Sequence, residues 1–104
     1  NKAVRGIPAD AAKILMSHDP THFDEVVKKH PADISLTLSG HTHGMQFGLD
    51  LRRVRWSPVQ YRYKKWADLY ESEGKFLYVN RGFGVIGYPG RVGVLPEITL
   101  FTLT

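Results

Sequence analysis

The sequence predicts an α/β fold, a mixed sheet with few helices, and three observations carry that prediction. Two strand-like runs, around Ile14-Leu15-Met16 and over Asp33 to Gly40, flank one helical pattern. A third run, FLYVN at Phe76 to Asn80, follows a long irregular stretch. Both early runs deliver the chain onto a turn that begins with histidine, His18 and His41, and strand ends are where open α/β sheets gather functional side chains.

The elements follow in order. AKILMS, Ala12 to Ser17, is a continuous apolar run too short for a free-standing helix, so it reads as a buried strand. Pro20 suits a first helical position, with Asp19 or Thr21 as cap. Phe23, Val26 and Val27 then share one face of a helix over Thr21 to Lys29, with Glu25 spaced to pair with Lys28 or Lys29, and Pro31 stops it. DISLTLSG alternates Ile34, Leu36 and Leu38 with Ser35, Thr37 and Ser39, a period-two strand. From Leu49 to Lys75 no clean period survives. This reads as a long excursion ordered by Trp56, Tyr61, Tyr63, Trp66 and Tyr70, and loops of that length in compact domains are usually functional. RGFGVIGYPGRVG is glycine-rich, and PEITLFTLT closes the chain as a strand with bulk on both faces, expected to be buried on both sides.

Composition narrows the classes. With 104 residues, 42% hydrophobic and 23% charged, the chain fits one globular domain, residues 1–104, and excludes disorder. No apolar run approaches the roughly eighteen residues of a membrane span. Asn1 to Asp10 lacks the apolar core of a secretory leader, and the missing initiator Met suggests a fragment or a processed product. Cysteine is absent, so a metal would be held by imidazole, carboxylate, amide or water. The net charge of +4 includes a cluster at Arg52, Arg53, Arg55, Arg62, Lys64 and Lys65. Solvated surface is the plainer reading of that cluster, and a phosphate or nucleic-acid patch, the latter with aromatic stacking, the weaker one.

Of five histidines, His22 and His30 read as surface residues of the helix. His18, His41 and His43 differ, because each follows a strand and precedes small or turn-forming residues. Neutral imidazole is the commonest nitrogen ligand for metals. Two imidazoles on a turn can fan toward two ions about 3.5–4 Å apart, the spacing of bimetallic hydrolytic sites. Gly40 and Gly44 bracket the pair. Three imidazoles do not complete two sites, and Asp19, Asp24, Asp33, Asp50 and Glu97 form no obvious bridging set. Asp19 could orient the His18 ring, but a helix cap is its plainer task.

SHDP at Ser17 to Pro20, SGHTHGMQFG from Ser39, LYVNRGFG at Leu77 to Gly84 and PEITLFTL at Pro96 to Leu103 together resemble the C-terminal half of the calcineurin-like metallophosphoesterases, in the bacterial branch often carried on a membrane anchor. The resemblance implies part of a four-layer α/β/β/α sandwich whose N-terminal half is absent. It implies two divalent ions (Mn, Fe, Zn or Mg) that hydrolyse phosphomonoesters or phosphodiesters through a metal-activated hydroxide. His18 and His41 would bind one ion and His43 the other, and Arg81, within a matched stretch, is assigned to substrate binding. The family's Asp-x-His, Gly-Asp-x-x-Asp and Gly-Asn-His-Asp motifs do not occur, and Met45 stands where glycine is common. The chain thus has no catalytic residue of its own and is expected to be inert alone. Its expected partners are a phosphoester substrate, the missing half of the polypeptide, or a second copy. A non-catalytic metal-binding or nucleic-acid module is the alternative.

Overall fold

The computed structural model describes residues 2–50, 55–85 and 87–104. Its centre is a four-stranded mixed sheet in the order β1-β2-β6-β5, with β1 at Ile14–Ser17, β2 at Leu36–Ser39, β5 at Asp68–Ser72 and β6 at Lys75–Val79. A two-stranded ribbon pairs β3, Leu49–Asp50, with β4, Arg55–Trp56. Strands β1, β2 and β6 run parallel, and β5 runs antiparallel to β6. The predicted class, α/β with a mixed sheet and few helices, is the class observed. Parallel neighbours need a crossover. The helical segment supplies it between β1 and β2, and the 40–67 stretch followed by β5 supplies it between β2 and β6.

The helix is shorter than its pattern predicts. It runs over α1, Thr21–Glu25, breaks at Val26 and resumes as one 3-10 turn, Val27–Lys29. The break turns Val26 outward and seats Val27 with Phe23 in the main core beside Ile34, Leu77 and Val79. Asp19 Oδ1 accepts from the Thr21 backbone N–H at 2.8 Å and from Thr21 Oγ1 at 2.7 Å, so Asp19 caps the first turn as expected. Lys28 pairs with Asp24 at 3.0 Å, one turn back, rather than with Glu25.

Three expectations need correction. The first strand is not buried: β1 lies at the sheet edge, and Ile14 and Met16 point away from the helix, Met16 at 84% exposure. The Leu49–Lys75 excursion is not uniformly irregular. It contains β3, β4, a 3-10 turn at Pro58–Tyr61 and the whole of β5, and a second small core of Val59, Trp66 and Ala67 holds it. Arg52 and Arg53 lie outside the described residues. The closing segment forms no strand and is not covered on two sides. Ile98 and Leu100 are exposed, while Glu97, Thr99 and Phe101 turn toward Tyr78. Without a neighbouring strand on its outer side, the tail has no ladder to join.

Candidate metal centre

The parallel strands β1, β2 and β6 end on one rim. His18 follows β1 directly, Gly40-His41 follows β2, and Asn80-Arg81 follows β6. The ladder carries on just past the strands: Gly40 N–H donates to His18 O at 3.3 Å, and Asn80 N–H donates to Ser39 O at 2.9 Å. Ser39, small and buried, donates from Oγ to Ser17 O at 2.6 Å and to His18 O at 3.1 Å. The strand end carrying His18 is thereby tied to the one carrying His41. The two imidazole rings stand 4.4 Å apart, tilted by 52°.

The turn that carries His41 and His43 is strained. His41, His43, Met45 and Gln46 have φ of 67°, 50°, 49° and 58°, and Gly44 has 56°. A non-glycine residue in the left-handed region costs roughly 1–2 kcal/mol, so surrounding bonds must hold it there. Thr42 supplies one: its buried Oγ1 donates to Trp66 O at 2.8 Å. Ser57 Oγ donates to Gly44 O at 2.6 Å. Buried Gln46 donates from Nε2 to Tyr88 O at 2.9 Å and Gly90 O at 2.7 Å. At Gly44 a Cβ would lie 2.8 Å from Val94 Cγ1, so glycine is required there by both space and φ.

His43 does not join the other two rings. Its Nδ1 is buried without a hydrogen-bond partner, close to Gly82. Arg91 packs over it, donating to His43 O at 3.5 Å, Arg81 O at 2.7 Å and Gly84 O at 3.0 Å. Burial, then the charges of Arg91, His41 and His18, lower the His43 pKa, which keeps the ring in its neutral form. Burial alone would raise Asp19, but its bonds from Thr21 and the charges of His41 and His18 hold it below the usual carboxylate value.

Sequence reasoning finds the His18–His41 pair but not all of its setting. Tyr63 Oη lies 3.0 Å from His41 Nε2, with the rings edge to face at 5.6 Å. Nothing in the spacing announces a contact made 22 residues away. Arg81, which the resemblance assigns to substrate binding, follows β6 on the same rim, where its Nε and backbone N–H both donate to Glu97 Oε2 at 3.1 Å, and both side chains are nearly buried. His22 is exposed and lies 3.1 Å from Ser17 Oγ, and His30 accepts from Ala32 N–H through Nδ1 at 3.0 Å.

As a place for a metal, the rim is half built. Two adjacent imidazoles and one orphaned, neutral, buried ring nitrogen are the donors that such an ion takes. Among the described residues, no group of three His, Cys, Asp or Glu side chains could hold an ion by itself.

The chain is 36% identical over 104 residues to the bovine transmembrane protein with metallophosphoesterase domain, covering 98% of this chain and 22% of that protein. It is 38% identical over 90 residues to the uncharacterized metallophosphoesterase YkuE of Bacillus subtilis, covering 86% of this chain and 30% of that protein. The chain belongs to the metallophosphoesterase family. Phosphodiesterase YaeI of Escherichia coli is 32% identical over 95 residues, with 91% of this chain and 33% of that protein covered. The chain thus spans no more than about a third of the length of these relatives. No family model and no solved structure matches it.

Proposed function

We propose that this chain supplies the histidine side of a dinuclear metal site in a phosphoester hydrolase, His18 and His41 toward one ion and His43 toward the other. The observation that carries this reading is the rim itself: two imidazoles 4.4 Å apart at the ends of adjacent parallel strands, and, two residues after His41 on the same turn, His43 Nδ1 buried and unpartnered. An orphaned buried nitrogen calls for a ligand. The relatives' names, metallophosphoesterase and phosphodiesterase, support the same class. When bound, two divalent ions supply Lewis-acid polarisation of the phosphoryl oxygens and activation of a water nucleophile.

The chain's own residues orient and shield. Tyr63 fixes the His41 ring through Nε2, which leaves Nδ1 as the free donor. Thr42, Ser57 and Gln46 hold the turn in its left-handed shape. Arg91 and the Gly82 backbone close the far side of His43. The bridging carboxylate and the proton donor for the leaving group belong to the remainder of a longer polypeptide, so the 104-residue chain alone is inert. Among the described residues no helix is long and apolar enough to cross a membrane. A membrane anchor, as the bovine relative's name suggests, would lie elsewhere in that polypeptide.

The test uses the full-length protein, with metal content and phosphodiester hydrolysis measured together. His41→Ala and His43→Ala each lose bound metal and activity in parallel, while His22→Ala keeps both. A His41→Ala protein with full metal and full rate overturns the ligand assignment. Turnover by the rigorously purified 104-residue chain with added Mn²⁺ overturns the division of labour.

A further inference from the structure

Beside the rim, a cleft of about 530 Å³ opens between α1 and the 62–65 segment. That volume is within the range of small-ligand sites, about 300–1,000 Å³. Four cations line it, Lys28, Arg62, Lys64 and Lys65, against two carboxylates, Asp24 and Glu25. Asp24 is already committed to both Lys28 and Lys65. Arg62 has no carboxylate partner among the described residues, and its guanidinium lies 5.9 Å from the Tyr63 ring centre. Lys64 is exposed and likewise unpaired among the described residues. The cleft therefore has two cations to offer an anionic ligand.

Its position matters as much as its charge. Tyr63 lines the cleft and reaches His41 Nε2 at 3.0 Å through its hydroxyl. Pro20 and Thr21, also in its wall, follow His18 by two and three residues. A phosphoester held at the His18–His41 rim would extend its non-reacting side past the Tyr63 ring toward Arg62 and Lys64.

We propose that this cleft is a substrate subsite that takes a second phosphate group on the non-reacting side of the ester, with Arg62 and Lys64 as its cationic contacts and Tyr63 joining it to His41. The proposal rests on the hydrolase reading above and names its substrate class: phosphoesters that carry a further phosphate. Guanidinium and ammonium groups left unpaired beside an aromatic wall suit a phosphate through charge-assisted hydrogen bonds.

The test compares two para-nitrophenyl diesters of phosphoglycerol on the full-length protein, one with and one without a phosphate on the far glycerol hydroxyl. The second phosphate raises kcat/KM by about tenfold, and reversing both charges, Arg62→Glu with Lys64→Glu, brings the ratio of the two substrates to about one. A ratio of one in the unaltered protein, or a ratio that survives charge reversal, overturns the subsite. Calorimetric binding of glycerol bisphosphate against glycerol monophosphate supplies an arm that needs no turnover. The bisphosphate binds about tenfold more tightly, and only while the cations are present; equal affinity overturns the subsite. The exchange Arg62→Lys with Lys64→Arg keeps the preference. Displacement of the bisphosphate by vesicles of phosphatidic acid, lost on charge reversal, would identify a lipid source for the second phosphate. Displacement only by soluble phosphoesters, also lost on charge reversal, would identify a free one, and both support the subsite. Turnover of neither diester with preferential bisphosphate binding intact sinks the hydrolase reading alone.

Discussion

On one face of the four-stranded sheet, Thr37, Ser39, Leu77 and Val79 lie buried under Phe23, Val27 and Ile34. On the other face, Ile14, Met16, Leu69 and Phe76 lie open. The contrast runs against the usual alternation. In β2 the polar residues Thr37 and Ser39 face the helix, while Leu36 and Leu38 sit half-buried on the far side. Small hydroxyl residues let the helical segment approach the sheet, and Ser39 spends its hydroxyl on tying β1 to β2. Thr37 Oγ1, though, is buried with no partner. The far face thus keeps its leucines on the side away from this chain's own helix, next to the exposed Ile14, Met16 and Leu69.

The sharpest way to break this comparison is to remove one large side chain from each face. Phe23 is fully buried, and Phe23→Ala should lower unfolding free energy by about 3–5 kcal/mol. Met16→Ala on the open face should change it by no more than about 0.5 kcal/mol in the isolated chain at high dilution. Urea titration of both variants decides it. A Met16→Ala loss comparable to that of Phe23→Ala would mean the open face is already covered.

A smaller effect concerns what covers that face. Each Å² of apolar surface removed from water contributes roughly 25 cal/mol, and among the described residues no strand pairs with the outer edge of β1. The isolated chain is expected to self-associate as a symmetric dimer, in place of the rest of a longer polypeptide. Sedimentation at micromolar concentration should show the dimer, and Met16→Lys combined with Leu69→Lys should return it to monomer. A wild-type monomer with sharp cooperative unfolding would mean that the chain closes its own core.

How much of this was legible depends on whether the cause was local. Strands β1, β2 and β6 were legible because apolar runs and alternation are local signals, and so was the histidine at each of the first two strand ends. Strand β5 was not, since DLYES has only two apolar residues, and its cue is the two-residue turn Glu73-Gly74, with φ of 52° and 77°, that pairs it with β6. Which face of β2 is covered was also hidden, because alternation reveals two faces without saying which one meets the helix. At the site, the HxH spacing was plain, but the separation of His43 from the other rings follows from the left-handed turn. The Tyr63 contact follows from packing around Trp66, and neither leaves a trace in residue spacing.

The smallest effect sharpens the comparison at the one place where the open face is clipped. Tyr78, on that face, donates to Glu97 and lies 2.9 Å from Thr99 Oγ1, and its ring meets Phe101 edge to face at 5.0 Å. Glu97 also accepts from Arg81, so one carboxylate pins the tail to the end of β6. Burial works to raise the Glu97 pKa, but the bonds from Tyr78, Thr99 and Arg81 outweigh it and hold it below its ordinary value of 4.5. The sign follows from linkage: a carboxyl depressed in the fold contributes stability that is complete above the unfolded pKa and is lost as pH falls through the folded one. The tail should therefore stay clipped at neutral pH and release in acid, below the ordinary carboxyl value. Amide exchange at Glu97, whose N–H donates to Gly82 O at 2.8 Å, followed from about pH 6 to about pH 3 after correction for the intrinsic rate, should show protection disappearing over that range. Glu97→Gln should leave the amide at position 97 unprotected throughout and remove the pH dependence. Protection that persists in the Gln variant would mean that the Phe101 ring, not the carboxylate, holds the tail to the open face.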